Sequence, residues 1–166
     1  MSKDASTQIS EAYDLYADAI FRHVYLRLGN RELAKEIMQD TFVKTLLQLQ
    51  KGAEIENIRA FLYRIAGNLL IDNVRKKKSV SLDDLQESGF EPSGETEEDL
   101  HTHLEGTRVA SVLKLLREVD QTLIIMRFVD GMKPQEIAEM LDIEPNTISV
   151  KIHRALKELK SHLRSA

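Results

Sequence analysis

The chain has 166 residues, a formal net charge of −4 and no Cys. That length holds one medium domain or two small ones, and the surplus of Leu, Ile, Glu and Lys over Gly, Pro and aromatics favours helix. The missing Cys excludes a disulfide framework and a thiolate metal site and fits a reducing cytoplasm, the compartment expected here.

The opening stretch MSKDASTQISEAYD has no apolar core and is not read as a secretory leader. No apolar run reaches membrane-spanning length, so no direct membrane insertion is expected. Tyr13, Tyr16, Ile20 and Val24 recur at helical spacing and predict a first helix from about Ile9. Gly29 suits its end, and Asn30 suits the N-cap of the next helix. Ala34, Met38, Phe42, Leu46 and Leu49 predict the buried face of that second helix. Lys51 to Asn57 reads as a loop around Gly52. A third helix is expected from about Ile58 to Lys78, with Ile58, Phe61, Leu62, Ile65 and Leu69 inward.

The third helix also carries a polar stripe. Arg64, Asn68, Asp72 and Arg75 lie three and four residues apart and share a face. The helix ends in Arg75, Lys76, Lys77 and Lys78. Such a run can simply complement the helix dipole, or it can hold phosphates. Of the nearby aromatics, Phe61 belongs to the apolar stripe, and Tyr63 is the better candidate to stack on an unpaired base.

From Ser79 to Thr107 the chain holds nine acidic residues and no Lys or Arg, so the remainder carries a net +5. Gly89, Pro92, Ser93 and Gly94 interrupt this stretch, which reads as a flexible acidic linker. The overall acidity therefore hides a basic body, and local charge decides the partner.

Beyond the linker, helices are expected from Val109 to Leu116 and from Asp120 to Val129. A helix-turn-helix then follows. Pro134 opens its first helix, Ile137, Ala138 and Leu141 line one side, Asp142-Ile143-Glu144 makes the turn, and Pro145 opens the second helix. Ile148, Ile152, Leu156, Leu159 and Leu163 form an apolar stripe on that helix, and Lys151, Arg154, Lys157, Lys160 and Arg164 cover much of the rest. A short helix, a tight turn and a longer cationic helix is the geometry that sets a recognition helix in a major groove.

The expected fold is all-α. Two small helical domains, residues 1–78 and 108–166, are joined by the acidic linker 79–107, and the second contains the helix-turn-helix. No P-loop, dinucleotide glycine fingerprint or nucleophile elbow occurs. A di-iron bundle needs a Glu-x-x-His pair on each of two helices; Glu98 and His101 make a single such pair, within the linker, and His101 and His103 have no Cys partner there. No enzyme, metal, cofactor or small-molecule substrate is expected.

In this order the pieces resemble the extracytoplasmic-function (ECF) class of bacterial RNA polymerase sigma factors. Glu32 to Leu46, ELAKEIMQDTFVKTL, looks like the family's polymerase-binding helix. Arg59 to Lys78 looks like its helix for the minus-ten promoter element. Asp120 to Leu159 is similar to its domain for the minus-35 element. The resemblance implies core RNA polymerase and promoter DNA as partners, and an anti-sigma factor as an inhibitor. It implies polymerase contacts at Glu36, Gln39, Asp40 and Phe42, and places Asn68 near the melted minus-ten strand. With Asn68 go Arg64, Arg75, Lys76, Lys77 and Lys78 as minus-ten residues. Lys51 to Asn57 matches a base-capturing loop. Ser149, Val150, Lys151, His153 and Arg154 match the groove-facing positions of the recognition helix.

Some positions depart from the family pattern. Gly67 stands mid-helix where the family often has a larger residue, Asp142 replaces the usual turn glycine, and Lys133 occupies a common serine cap. Ser149 and Val150 are less basic than in many members. Two other readings of the residues stand beside this one: a free-standing helix-turn-helix regulator, and a helical protein whose positive faces meet only acidic proteins. The block from Arg59 to Lys78 favours the polymerase subunit, because a free-standing regulator has no use for a second basic helix.

Overall fold

A computed structural model describes residues 3–80 and 108–165. The chain divides into two compact units, to which these two stretches belong. Every regular element among the described residues is helical. The readings of 81–107 as a linker, and of His101 and His103 within it, lie outside the described residues.

The first unit is a bundle of three helices, α1 (Ala5–Leu28), α2 (Arg31–Gln50) and α3 (Ile58–Val80), each packed on the other two. Gly29 closes α1 in the left-handed region, φ 67°, and its N–H donates to the Tyr25 carbonyl at 2.8 Å. Asn30 then caps α2, its side chain accepting from the Leu33 N–H at 3.1 Å. Both roles agree with the sequence, and together they join two long helices through two residues. The loop after α2 turns at Gly52, φ 88°, and Asn57 caps α3 by accepting from the Ala60 N–H at 3.1 Å.

The core of this unit differs in rotation from the expected stripes. On α1 the buried residues are Ala12, Ala17, Ile20, His23 and Val24, while Tyr13 is exposed. On α2, Ala34, Met38, Phe42 and Leu49 are buried as expected, joined by Ile37, Thr41 and Thr45, and Leu46 is only half-buried. The two threonines are buried because each hydroxyl donates to a carbonyl one turn back. Thr41 Oγ1 reaches Ile37 O at 2.7 Å, and Thr45 Oγ1 reaches Thr41 O at 2.8 Å. On α3 the buried residues are Leu62, Tyr63, Ala66 and Leu70, whereas Ile58, Phe61, Ile65 and Leu69 are half-buried.

The second unit begins its described part with α4 (residues 108–113), which ends in a turn rather than running to Leu116. Gln121 is buried and donates from Nε2 to the Leu116 carbonyl at 2.9 Å, satisfying that turn. Next comes α5 (Glu118–Ile124), which widens into a π-helical turn over Ile125–Val129. Asp130 N–H accordingly reaches back five residues to Ile125 O, at 2.9 Å. The sequence predicts a single helix from Asp120 to Val129, and the structure divides that stretch between α5 and the π turn. Four consecutive apolar residues, Leu123 to Met126, are all buried, and the wider turn leaves Phe128 and Val129 exposed.

The helix-turn-helix has the expected limits, α6 (Pro134–Leu141) and α7 (Pro145–Ser165). Asp142 sits in the left-handed region, φ 54° and ψ 49°, and is the one non-glycine residue with positive φ among those described. Ile143 N–H reaches Ala138 O at 3.0 Å and closes the turn. Lys133 caps α6 without a side-chain bond. On α7 the buried residues are Ile148, Ile152, Ala155 and Leu159, with Leu156 and Leu163 half-buried. Arg108 ties the start of α4 to the far end of α7, donating to Leu163 O at 3.2 Å.

Candidate nucleic-acid and partner interfaces

Helix α2 turns its inner side to the bundle, which leaves Glu36, Gln39 and Asp40 exposed. Phe42 does not join them. It is 5 % exposed, and its ring meets Tyr13 edge-on with centroids 5.0 Å apart. Of the four residues expected to meet polymerase, Phe42 is thus the one that packs in the seam between α1 and α2. The exposed face continues instead through Val43 and Leu47, which are 54 % and 49 % exposed. Glu36, Asp40, Val43 and Leu47 are spaced four, three and four residues apart and so share one side of the helix. The sequence reading missed the last two because apolar residues inside an amphipathic helix pass for core.

Between α1 and α2 lies an open cleft of about 480 Å³, lined among others by Tyr13, Asp18, Phe21, Arg31, Glu32 and Lys35. Phe21 stacks on Tyr25 nearby, centroids 5.7 Å apart and 7° between planes. Burial raises the Tyr25 phenol above its ordinary value and outweighs the opposing Arg31 charge, so this ring stays neutral near pH 7.

The polar stripe of α3 is present. Arg64, Asn68, Asp72, Arg75 and Lys76 are all exposed, opposite the buried Leu62, Ala66 and Leu70. The helix passes through Lys77 and Lys78 to Val80, two residues beyond its expected end, but the side chains of Lys77 and Lys78 lie outside the description. Tyr63 is not available for stacking on a base. It is 2 % exposed and packs on His23 of α1. The face also holds one residue that the sequence reading passed over, Ile71, which is 46 % exposed. Residues Gly52 to Glu56 of the loop before α3 border an open cleft of about 780 Å³, whose other wall is the start of α1 with Lys3 and Gln8.

On α7 the positions Ser149, Val150, His153 and Arg154 are exposed and Lys151 is half-buried. They occupy the first turns of the helix, away from Ile148 and Ile152, which face the unit's core. Lys157, Lys160 and Arg164 continue the cationic side, and Glu158 lies 3.7 Å from His162. Among the described residues no group of three or more His, Asp or Glu is placed to hold a metal ion. No described helix is long and apolar enough to cross a membrane.

The arrangement defines a class: a helical protein with a helix-turn-helix in one unit and a cation-ended helix in the other. Comparison with known proteins gives the family. Residues 12–80 match Sigma-70 region 2, and residues 107–159 match Sigma-70, region 4. The chain is 30 % identical to the ECF RNA polymerase sigma factor SigW of Bacillus subtilis, covering 99 % of this chain and 93 % of that one. It is 28 % identical to the RNA polymerase sigma factor SigV of the same organism, over 86 % of this chain and 83 % of that one. Among solved structures, the sigma factor RpoE in complex with the anti-sigma factor NepR from Bartonella quintana shares the fold. Its TM-score is 0.74 at 19 % identity, covering 95 % of this chain and 97 % of that one. The chain belongs to the extracytoplasmic-function (ECF) sigma factors. Its function is of the sigma type: it directs promoter recognition by RNA polymerase and is not itself a catalyst.

Proposed function

We propose that the work is divided along the chain as 1–78, 79–107 and 108–166. The first part binds core polymerase and the minus-ten element, the second connects, and the third binds the minus-35 element. Polymerase is met by the α2 face bearing Glu36, Gln39 and Asp40. The minus-ten strand is met by Arg64, Asn68, Arg75, Lys76, Lys77 and Lys78. A base leaving the duplex exposes donors and acceptors that the Asn68 amide can match, while the cations hold phosphates. The minus-35 duplex is met by Ser149, Val150, Lys151, His153 and Arg154.

The observation that carries this reading is the placement of Asn68 on an exposed α3 face between two arginines, in a unit separate from the helix-turn-helix. Each unit alone offers few base contacts. Holding both on one polymerase makes the second encounter intramolecular and raises its effective concentration. An anti-sigma factor is proposed as the inhibitor, because the similar sigma factor RpoE was solved with one.

Run-off transcription with purified core polymerase on genomic fragments tests the assignment. Promoter-specific transcripts are expected, with weak DNA binding by the chain alone. Asn68→Ala is expected to reduce permanganate reactivity of promoter thymines more than it reduces polymerase binding. Normal opening by a stably folded Asn68→Ala protein removes that residue from the site. A strong footprint without polymerase supports a free-standing regulator instead.

A further inference from the structure

At about 100° per residue, Arg64, Asn68, Ile71 and Arg75 fall within about 60° of one another around the axis of α3. Three of the four are polar or cationic. The fourth, Ile71, is 46 % exposed, although its neighbour Leu70 is buried at 2 %. The inward position on this turn is thus already filled, and Ile71 is left on the face that carries Asn68. Nothing in the folding of the unit asks for it there. On a solvated helix face a β-branched residue is a poorer helix former than Lys, Gln or Glu, and it gains little from burial.

The surface beside it is open as well. Gly67 lies one turn before Ile71, and a Cβ built at Gly67 meets nothing within 4 Å. An apolar side chain therefore stands next to a bare stretch of helix, within a face whose charges suit a nucleic acid. Arg64 and Arg75 bracket it, and Lys76 follows. That charge selects the occupant: a polyanion rather than an apolar peptide.

We propose that Ile71 is a specificity-determining residue for the promoter strand, packing against the 5-methyl group of a thymine adjacent to the base met by Asn68. Isoleucine has no donor or acceptor and can discriminate only by apolar contact. The thymine methyl is the apolar substituent that a base edge presents. Asn68 supplies the hydrogen-bonding reading, the cations hold the phosphates, and Ile71 adds a preference for thymine that neither could supply. This rests on the assignment of α3 to the minus-ten element.

The test selects preferred bases from a randomised minus-ten element, using the full chain on core polymerase with open-complex formation as the readout. Wild type, Ile71→Ala, Ile71→Thr and Asn68→Ala are compared, with a melting temperature for each. Thymine preference at one position is expected to fall about fourfold in Ile71→Ala, the worth of one methyl-sized group withdrawn from water. Deoxyuridine at that position should cost wild type the same factor and cost Ile71→Ala nothing further. Ile71→Thr keeps the branch at Cβ but replaces the ethyl arm with a hydroxyl, and it should lower the preference as Ile71→Ala does. If wild type does not distinguish thymine from deoxyuridine anywhere, or if Ile71→Ala keeps the full preference, the contact is overturned. If Asn68→Ala also opens promoters normally, the α3 assignment itself falls. Impaired opening by Asn68→Ala with an unchanged Ile71→Ala overturns the methyl contact alone.

Discussion

The ring of Tyr63 stands at 87° to the ring of His23, with 5.2 Å between centroids, in the seam where α3 packs on α1. Both side chains are almost wholly buried. An aromatic that looks free to stack on DNA is therefore part of the bundle. Tyr63→Leu removes the edge-on pair and changes the shape of a filled site, so it should cost about 1–2 kcal/mol of stability. Well below the new melting temperature, strand opening should match wild type. A loss of permanganate reactivity in a fully folded Tyr63→Leu protein would return this ring to the DNA site.

Asp40→Lys should weaken capture of core polymerase without altering the melting temperature. The carboxylate is on the exposed side of α2, and reversing one charge in a complementary interface places like charges together at a cost of several kcal/mol. Leu47→Ala on the same side should also weaken capture if that face is the contact, because it deletes apolar area exposed in the free chain. Pull-down with folded variants checks both, and unchanged capture by both would move the polymerase contact elsewhere.

Substitution at Asp142 should act on stability through the backbone alone. Its φ of 54° lies where a Cβ is crowded, and Asp tolerates this better than most residues. Asp142→Gly should stabilise the second unit by up to about 1 kcal/mol, and Asp142→Val should destabilise it by about 1–2 kcal/mol. Thermal denaturation of the full chain reads both signs.

Arg154→Ala should lower minus-35 occupancy by about 1–3 kcal/mol and change the base preferred at one position, if the guanidinium reads a base edge. Lys151 is half-buried, and Lys151→Ala should instead weaken all sequences evenly, as a phosphate contact would. A randomised upstream element separates the two. If neither variant changes occupancy, α7 is not the reading helix.

Gly67→Ala should raise stability by about 0.5–1 kcal/mol, because the added methyl meets nothing within 4 Å and a helical interior favours Ala. A denaturant midpoint that does not rise would mean that the free chain has a closer neighbour at this turn.

Helices, caps and the turn were legible because each has its own local chemistry: Gly29 and Asn30 between two periodic runs, Pro134 and Pro145 at helix starts, Asp142 in the turn. The rotation of α3 was not. Phe61, Leu62 and Tyr63 are consecutive, as are Ile65 and Ala66, and Leu69, Leu70 and Ile71. Several rotational settings of that helix therefore present an apolar stripe, and only packing against α1 and α2 selects the one with Leu62, Tyr63, Ala66 and Leu70 inside. The same choice leaves Ile71 outside. The burial of Thr41 and Thr45 was hidden for another reason: a hydroxyl looks polar in a sequence until its partner carbonyl is known. The π turn at Ile125–Val129 escaped because its sequence carries no breaker residue.

The junction of α1 and α2 has no slack. Gly29 closes one helix, Asn30 opens the next, and no residue stands between them. One residue inserted into the first turn of α2, with the corner held in place, would turn the rest of that helix by about 100° about its axis, carrying Glu36 and Asp40 out of their present orientation and Ala34 and Phe42 out of the core. Point changes on that face alter which partner it suits, whereas a change of length here moves the face itself.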